Sequence, residues 1–514
     1  FGSSLREARE PADYRRIAAM LSRAIRTTAS RGGQRRCASA LTVKAPTYAP
    51  VKIKHEDITE VMEEVPDFQF YHIGGELKTN PYKNVTLDQT VMLRPPAEVA
   101  ATAPKYEFSK LENGLRVATA NLGGADAHVG LFASAGSRFS NASNLGVADM
   151  IAQLSYHSTA HLSHLRTIKT LEHLGVDADC TAGREYLTYK IGTLPEHLPF
   201  VVPILVGNVL FPRFLRWEVK HEMEDALERT WSEPEIVEGM LHAAAFTNNT
   251  LGLKLQANAA SCKNFLGETM REHMMKNCSP KNCVVVGVNV DHQELAKWTM
   301  RSYAEYNAIP HTERKVEAPK YYGGDSRTEA PTGSATVVLA VPTAGWNGGD
   351  NLAVAVAAAH IGGGSLGKTS GLMQQAGVYS ADSYSVTHSD AGLFGVSLSC
   401  SPEAAAGAVK GAADALKSLN KMTAEELTRA KAIAKTTILT TMEDSNNLLE
   451  NMGAQLMFGD SYASPADIAM GIDSVTAADM SSFAGKAVGS KPTLASYGAI
   501  EGVPHFDEVC AMLK

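Results

Sequence analysis

Apolar residues along the chain switch repeatedly between a strand-like and a helix-like period, with turn residues at the switches. "YEFSKLENGLRVATA", from Tyr106, holds two short strand-like runs around Asn113-Gly114, a pair that tolerates positive φ angles and so predicts a tight hairpin. "AHVGLFASAGSRFSNASNLGVADMIAQL", from Ala127, reads as strand, Ala-Gly turn, polar loop, Asn-Leu and helix. The same succession returns about 208 residues later in "ATVVLAVPTAGWNGGDNLAVAVAAAHI", from Ala335. "SPKNCVVVGVNVDHQELAKW" and "SKPTLASYGAIEGVPHFDEVCAML" repeat a Pro turn, strand, glycine and closing helix at a similar offset. Self-similarity of this kind predicts two copies of one α/β unit. The expected organisation is an N-terminal extension over 1–103, a first domain over 104–309, a Pro- and charge-rich linker over 310–331 and a second domain over 332–514.

Composition narrows the classes. A chain of 514 residues that is 44% hydrophobic can bury more than one core. Its net charge of -7 provides no overall basic field, which argues against a nucleic-acid partner. The longest apolar stretch, from Leu198 to Pro212, is broken by Pro199, Pro203, Gly207 and Asn208. It falls short of the roughly 20 residues that span a bilayer, so no crossing helix is expected. Seven cysteines without a CxxC pair argue against a disulfide framework. Cys278 and Cys283, near His273, supply only part of a zinc set and are read as thiols. The N-terminal region adds localisation: from Tyr14 to His55 there are ten Arg and Lys and no Asp or Glu. A helix from Ala12 to Thr28 would set Ile17, Met20, Leu21, Ala24 and Ile25 opposite arginines, the pattern of a mitochondrial targeting segment.

Gly362-x4-Gly367-Lys368-Thr369 satisfies a phosphate-loop pattern letter for letter. That mechanism needs a strand before the loop and a helix opening at Lys368. The duplication instead maps "NLAVAVAAAH" onto the "NLGVADMIAQ" helix. A nucleotide-binding enzyme and a generic glycine loop both stay open on these residues.

The unit opening with "LENGLRV" and continuing "SAGSRFSN...GVADMIAQLSYHST" resembles the pitrilysin-type (M16) metallopeptidases over about residues 104 to 514. The resemblance implies an α+β fold of two homologous α/β-roll domains. Each would be a mainly antiparallel sheet with helices packed on one face, and the two would enclose a concave chamber. Active members carry His-x-x-Glu-His on the helix after the Gly-Ser-Arg loop, two imidazoles holding zinc and a Glu activating water. Here that frame reads Asp149, Met150, Ile151, Ala152, Gln153. Neither imidazole nor general base is present, so no catalytic residue and no metal or other cofactor is assigned. Glu228 falls near the position of the family's third zinc ligand. His157, His161 and His164 could put two imidazoles on one helical face but lack a Glu, and are read as surface or packing residues.

Within the family, "YHST" and "SDAGLFGVS" are similar to processing-peptidase alpha subunits, and "FLRWEV" and "LHAAAF" to core protein 2 of respiratory complex III. The resemblance therefore implies a non-catalytic core subunit on the matrix side of the mitochondrial inner membrane. It would also serve as the alpha, presequence-handling subunit of a processing peptidase. Its partners would be a zinc-bearing beta-type or core protein 1 subunit, cytochrome b, cytochrome c1, the Rieske protein and presequence peptides. A processing peptidase outside complex III is the alternative. The family's glycine-rich loop places substrate contact at Gly362, Gly363, Gly364, Ser365, Gly367, Lys368 and Gly371.

Overall fold

The computed structural model describes residues 104–141, 143–247, 249–257, 265–304, 316–459 and 461–513, together with a two-residue strand, β1 (Ala49–Pro50). The targeting-like helix lies outside the described residues. The first sheet continues with β2 (Lys105–Lys110), β3 (Arg116–Asn121), β4 (Ala127–Ala133), β5 (Asp177–Ala182), β6 (Leu187–Thr193) and β7 (Cys283–Val288), in the order β1-β2-β3-β7-β4-β6-β5. The second sheet holds β8 (Asp325–Glu329), β9 (Ala335–Ala344), β10 (Val378–Thr387), β11 (Ala391–Cys400) and β12 (Thr493–Gly498), in the order β10-β11-β9-β12-β8.

The two orders superpose when β3, β7, β4, β6 and β5 are matched to β8, β12, β9, β11 and β10. Among these matched strands even the single parallel step recurs, as β3 beside β7 and β8 beside β12. The duplication read from the sequence is thus a duplication of topology, with the Asn113-Gly114 hairpin adding β2 to the first copy only. β8 lies within the stretch read as linker, so the second sheet begins earlier than the expected boundary of 332. Equivalent glycines mark the strand-to-helix turns. A Cβ on Gly136 would meet the Arg184 carbonyl oxygen at 2.4 Å, and one on Gly345 would meet the Asp390 carbonyl carbon at 2.3 Å.

Eleven helices matter below. In the first half they are α1 (Val147–Gln153), α2 (His164–Leu174), α3 (Leu198–Leu210), α4 (Arg216–Glu228), α5 (Glu233–Phe246) and α6 (His292–Tyr303). In the second they are α7 (Asn351–Gly362), α8 (Thr369–Met373), α9 (Ala405–Ser418), α10 (Ala424–Met442) and α11 (Ser445–Phe458). One face of the first sheet, with Val117, Leu131 and Val285, packs on Val201 and Leu205 of α3 and Leu295 of α6. The second sheet packs Leu339 and Val396 on Val356 of α7 and Val409 of α9.

Each sheet is covered on its other face by a helix from the other half. Val237, Leu241 and Ala245 of α5 bury against Val338, Ala340, Leu393 and Ala495 of the second sheet. Leu448, Leu449, Met452 and Leu456 of α11 bury against Ala118, Phe132, Val284 and Val286 of the first. Burial on both faces explains why "CVVVGV" runs apolar without alternation. The fit is close: a Cβ on Gly453 of α11 would lie 2.1 Å from the Phe132 ring. Both exchanged helices have firm starts. Ser232 and Glu235 form a capping box on α5, and the Asp444 side chain accepts the Asn446 N–H on α11.

Candidate functional site

The degenerate frame lies on α1, which begins after Gly146 at φ 82, a glycine packed on the backbone of Ala257. Asp149 is buried at 5% exposure. Its Oδ2 accepts the Ala257 N–H at 3.0 Å, and its Oδ1 lies 3.7 Å from Nη1 of Arg229, which caps the end of α4. Gln153, one turn on, adds a side-chain hydrogen bond. Burial nevertheless raises the Asp149 pKa above 3.8, against the opposing pull of Ala257 and Arg229. The Arg229 guanidinium also stacks 5.6 Å from the Trp231 ring.

Zinc does not fit this arrangement. The carboxylate of Asp149 is already engaged, Ala152 presents a methyl group, and a dication would sit beside a fixed guanidinium. Glu228 is exposed at the last position of α4, and the residue of this pair that reaches the frame is its neighbour Arg229. Arg229 was not picked out from the sequence, where it lies 80 positions from Asp149 and carries no motif letter. With no imidazole and no general base, these residues cannot polarise a peptide carbonyl or activate water.

His157, His161 and His164 do not share a helical face. α1 ends at Gln153, so His157 and His161 stand in the connection to α2 and His164 opens that helix. The zinc reading of Cys278, Cys283 and His273 also dissolves into packing. Both thiols are buried, Cys278 Sγ approaches Met274 Sδ, and His273 Nε2 donates to the Ala135 carbonyl at 3.0 Å. Among the described residues no group of three metal-ligating side chains is gathered.

The glycine loop lacks a phosphate-loop setting. The element before it is α7, a helix, where the nucleotide mechanism needs a strand. Lys368 Nζ is bound to Glu426 Oε1 at 2.7 Å, and Thr369 Oγ1 donates to the Ile361 carbonyl at 3.0 Å. The side chains that would meet a β-phosphate and magnesium are turned to protein partners. The nucleotide-binding alternative is therefore corrected: the letters match, but the flanking elements are wrong. Gly362, Gly363 and Gly367 each pack against backbone or Ser383, whereas Gly364, at φ 59, has open space beyond it. Leu366 is 58% exposed.

A buried ionic junction joins the two halves. Arg138, of the Gly-Ser-Arg loop, reaches Glu185 Oε1 at 2.6 Å, takes both oxygens of Asp390 at 3.0 and 2.6 Å, and donates to the Glu317 carbonyl at 2.6 Å. Glu185 also accepts from the Ser389 N–H and hydroxyl. His388 and His242 meet there, Nε2 to Nε2, at 3.2 Å. Burial, then Arg184 and Arg138, push the His388 pKa down to about 3. A cavity of about 280 Å³ opens beside this junction, lined by Phe132, Arg184, Glu185, Tyr186, His388 and Phe458.

These features define a class: a duplicated α/β-roll peptidase scaffold whose first half has exchanged its metal donors for an Asp–Arg pair. Residues 116–258 match insulinase, peptidase family M16, and residues 266–434 match the peptidase M16 inactive domain. The chain belongs to the M16 family. It is 25% identical over 513 residues to a probable mitochondrial-processing peptidase subunit alpha-1 of Arabidopsis thaliana, covering 95% of this chain and 100% of the relative. To a mitochondrial-processing peptidase subunit alpha of Solanum tuberosum it is 26% identical, covering 82% and 88%. To a subunit beta of Bos taurus it is 25% identical, covering 81% and 89%. A chain of complex III2 from Candida albicans, solved with Inz-5 bound, superposes with a TM-score of 0.68 at 19% identity, covering 79% of this chain and 99% of that one. That likeness is one of fold.

Proposed function

We propose that this chain is a non-catalytic subunit that completes a mitochondrial processing peptidase with a zinc-bearing beta-type partner and that serves as a core subunit of respiratory complex III. The observation that carries the reading is the Asp149–Arg229 pair inside an otherwise complete M16 scaffold. A scaffold kept whole while its chemistry is removed fits a role in assembly and substrate handling. The full-length correspondence to processing-peptidase alpha subunits supports the first assembly, and the complex III fold neighbour supports the second. Among the described residues no helix is long and apolar enough to cross a membrane. The chain would thus attach peripherally, on the matrix side, beside cytochrome b, cytochrome c1 and the Rieske protein.

In this reading the two halves and the partner enclose a chamber, and the loop from Gly362 to Gly371 meets the presequence. Exposed Leu366 offers an apolar contact to the apolar face of an amphipathic presequence. The experiment is purification in mild detergent from the source organism, followed by native mass measurement and presequence cleavage. A beta-type subunit should co-purify in every active fraction. A mass near that of two chains marks the free peptidase, and a much larger, haem-containing species marks complex III. Recovery of the chain without any M16 partner overturns the proposal.

A further inference from the structure

The segment between α7 and α8 is anchored at both ends and open in its middle. At its start, Gly362 is pressed against β10, where a Cβ would lie 2.8 Å from the Ser383 backbone nitrogen. At its end, Thr369 is buried and its hydroxyl donates to the Ile361 carbonyl. Between these anchors the chain forms short turns of its own, Leu366 N–H to the Gly363 carbonyl and Gly367 N–H to the Gly364 carbonyl, each at 3.2 Å. Gly364 takes a left-handed φ with open space beyond its Cα, and Leu366 stands exposed beside it. A span so rich in glycine loses much backbone entropy when held in one form, so contacts from outside it have to hold it.

Those contacts come from the end of α7 and from α10. The Lys368 N–H donates to the His360 carbonyl at 3.1 Å, and Nζ reaches Glu426 Oε1 at 2.7 Å. Gly363 lies against the same helix, with a Cβ there 3.2 Å from Cδ1 of Ile433. Glu426 is the third residue of α10, and its Oε2 accepts the Thr423 N–H at 3.0 Å to complete the capping box. One carboxylate therefore serves the start of α10 through one oxygen and the end of the loop through the other. The helix fixes the position of Glu426, so the loop has a stationary point to fasten to. The Lys368 and Glu426 side chains are 39% and 22% exposed. An ion pair in that setting is weak and is screened by salt, which suits a bond that is made and broken.

We infer that the Lys368–Glu426 pair is a latch that holds the segment from Gly363 to Lys368 down on α10. Release lets this segment lift while Gly362 and Thr369 stay seated. Leu366 rides on the moving piece, so the latch sets where that apolar side chain is presented. Its consequence for presequences rests on the proposed function, whereas the latch itself does not.

The test is hydrogen–deuterium exchange on the full chain, read at the amides of Leu366, Gly367, Lys368, Ser370 and Gly371, all of them hydrogen-bonded within this region. Glu426→Gln removes the charge and keeps a side chain that can close the capping box. Lys368→Met removes the other partner. Each variant should speed exchange at these amides about two- to fivefold, with the first turn of α10 unchanged. The double variant should be no faster than either single one, because both remove the same bond. In about 1 M salt the unaltered chain should approach the variants. Unchanged exchange in both single variants, or a double variant whose acceleration is the product of the two, overturns the latch. The exchange is read without a beta-type partner, so its failure is separate from any failure of the proposed function.

Discussion

Arg229 stands 3.7 Å from Asp149 at the end of α4, so a fixed side-chain cation lies beside the first position of the degenerate metal frame. The pairing makes the substitution at 149 more than a lost ligand. A buried carboxylate is kept there by a guanidinium and by the Ala257 N–H, and it helps join α1 to α4.

Replacement of Asp149 by Asn tests how that carboxylate is held. Its folded-state pKa is raised, chiefly by burial, above 3.8. Its protonated form is therefore the one favoured by the fold. The associated stability is fully present below the unfolded pKa and is lost as pH rises through the folded value. Asn does not titrate. The midpoint of Asp149→Asn relative to the unaltered chain should thus improve as pH rises above the ordinary carboxylate value of about 3.9, measured by urea unfolding. The opposite slope would show that Arg229 and Ala257 outweigh burial.

The exchange of α5 and α11 makes the halves interdependent. Leu449→Ala removes a fully buried side chain from the α11 contact and should cost about 2 to 5 kcal/mol. Gly453→Ala places a methyl into the Phe132 ring and should cost about 1 to 3 kcal/mol. The pair gives a sharper check than either alone: Phe132→Leu should restore part of what Gly453→Ala loses, as a coupling in a double-mutant cycle of thermal unfolding. Strict additivity would contradict the described packing.

Lys368→Ala should leave magnesium-ATP and GTP binding undetectable before and after. It should change stability by no more than about 1 kcal/mol, since Lys368 is partly exposed. The Lys368 bond and the α10 cap hold Glu426 at about 2, below its usual 4.5. That stability is present above the unfolded pKa and lost as pH falls through the folded one. The destabilisation by Lys368→Ala should therefore shrink below about pH 4. Saturable nucleotide binding that vanishes in the variant would reverse the assignment of this loop.

Much of the fold was legible because its signals are local. Asn113-Gly114 marks its hairpin through its own positive φ at Gly114, and Gly136 and Gly345 mark equivalent turns in the two copies, although the backbone that requires them, at Arg184 and Asp390, is distant in sequence. The exchanged helices were not legible. The apolar spacing of Leu448, Leu449, Met452 and Leu456 announces a buried face but does not say which sheet receives it. The site divides along the same line. Loss of donors at 149, 152 and 153 is written in one short frame, whereas the part played by Arg229 depends on how α4 ends against α1. The phosphate-loop letters are insufficient for a related reason: the pattern fixes residue types, and the chemistry depends on a preceding strand, whose place is taken by α7, the helix that the duplication already pointed to.

The most direct measurement is presequence cleavage by this chain alone, by its beta-type partner alone, and by the two together, with and without the partner's catalytic Glu changed to Gln. The expected result is no cleavage by this chain, strong cleavage by the intact pair and none by the pair whose partner carries the change. Cleavage by this chain alone, or cleavage that persists when the partner's Glu is changed, would contradict the account.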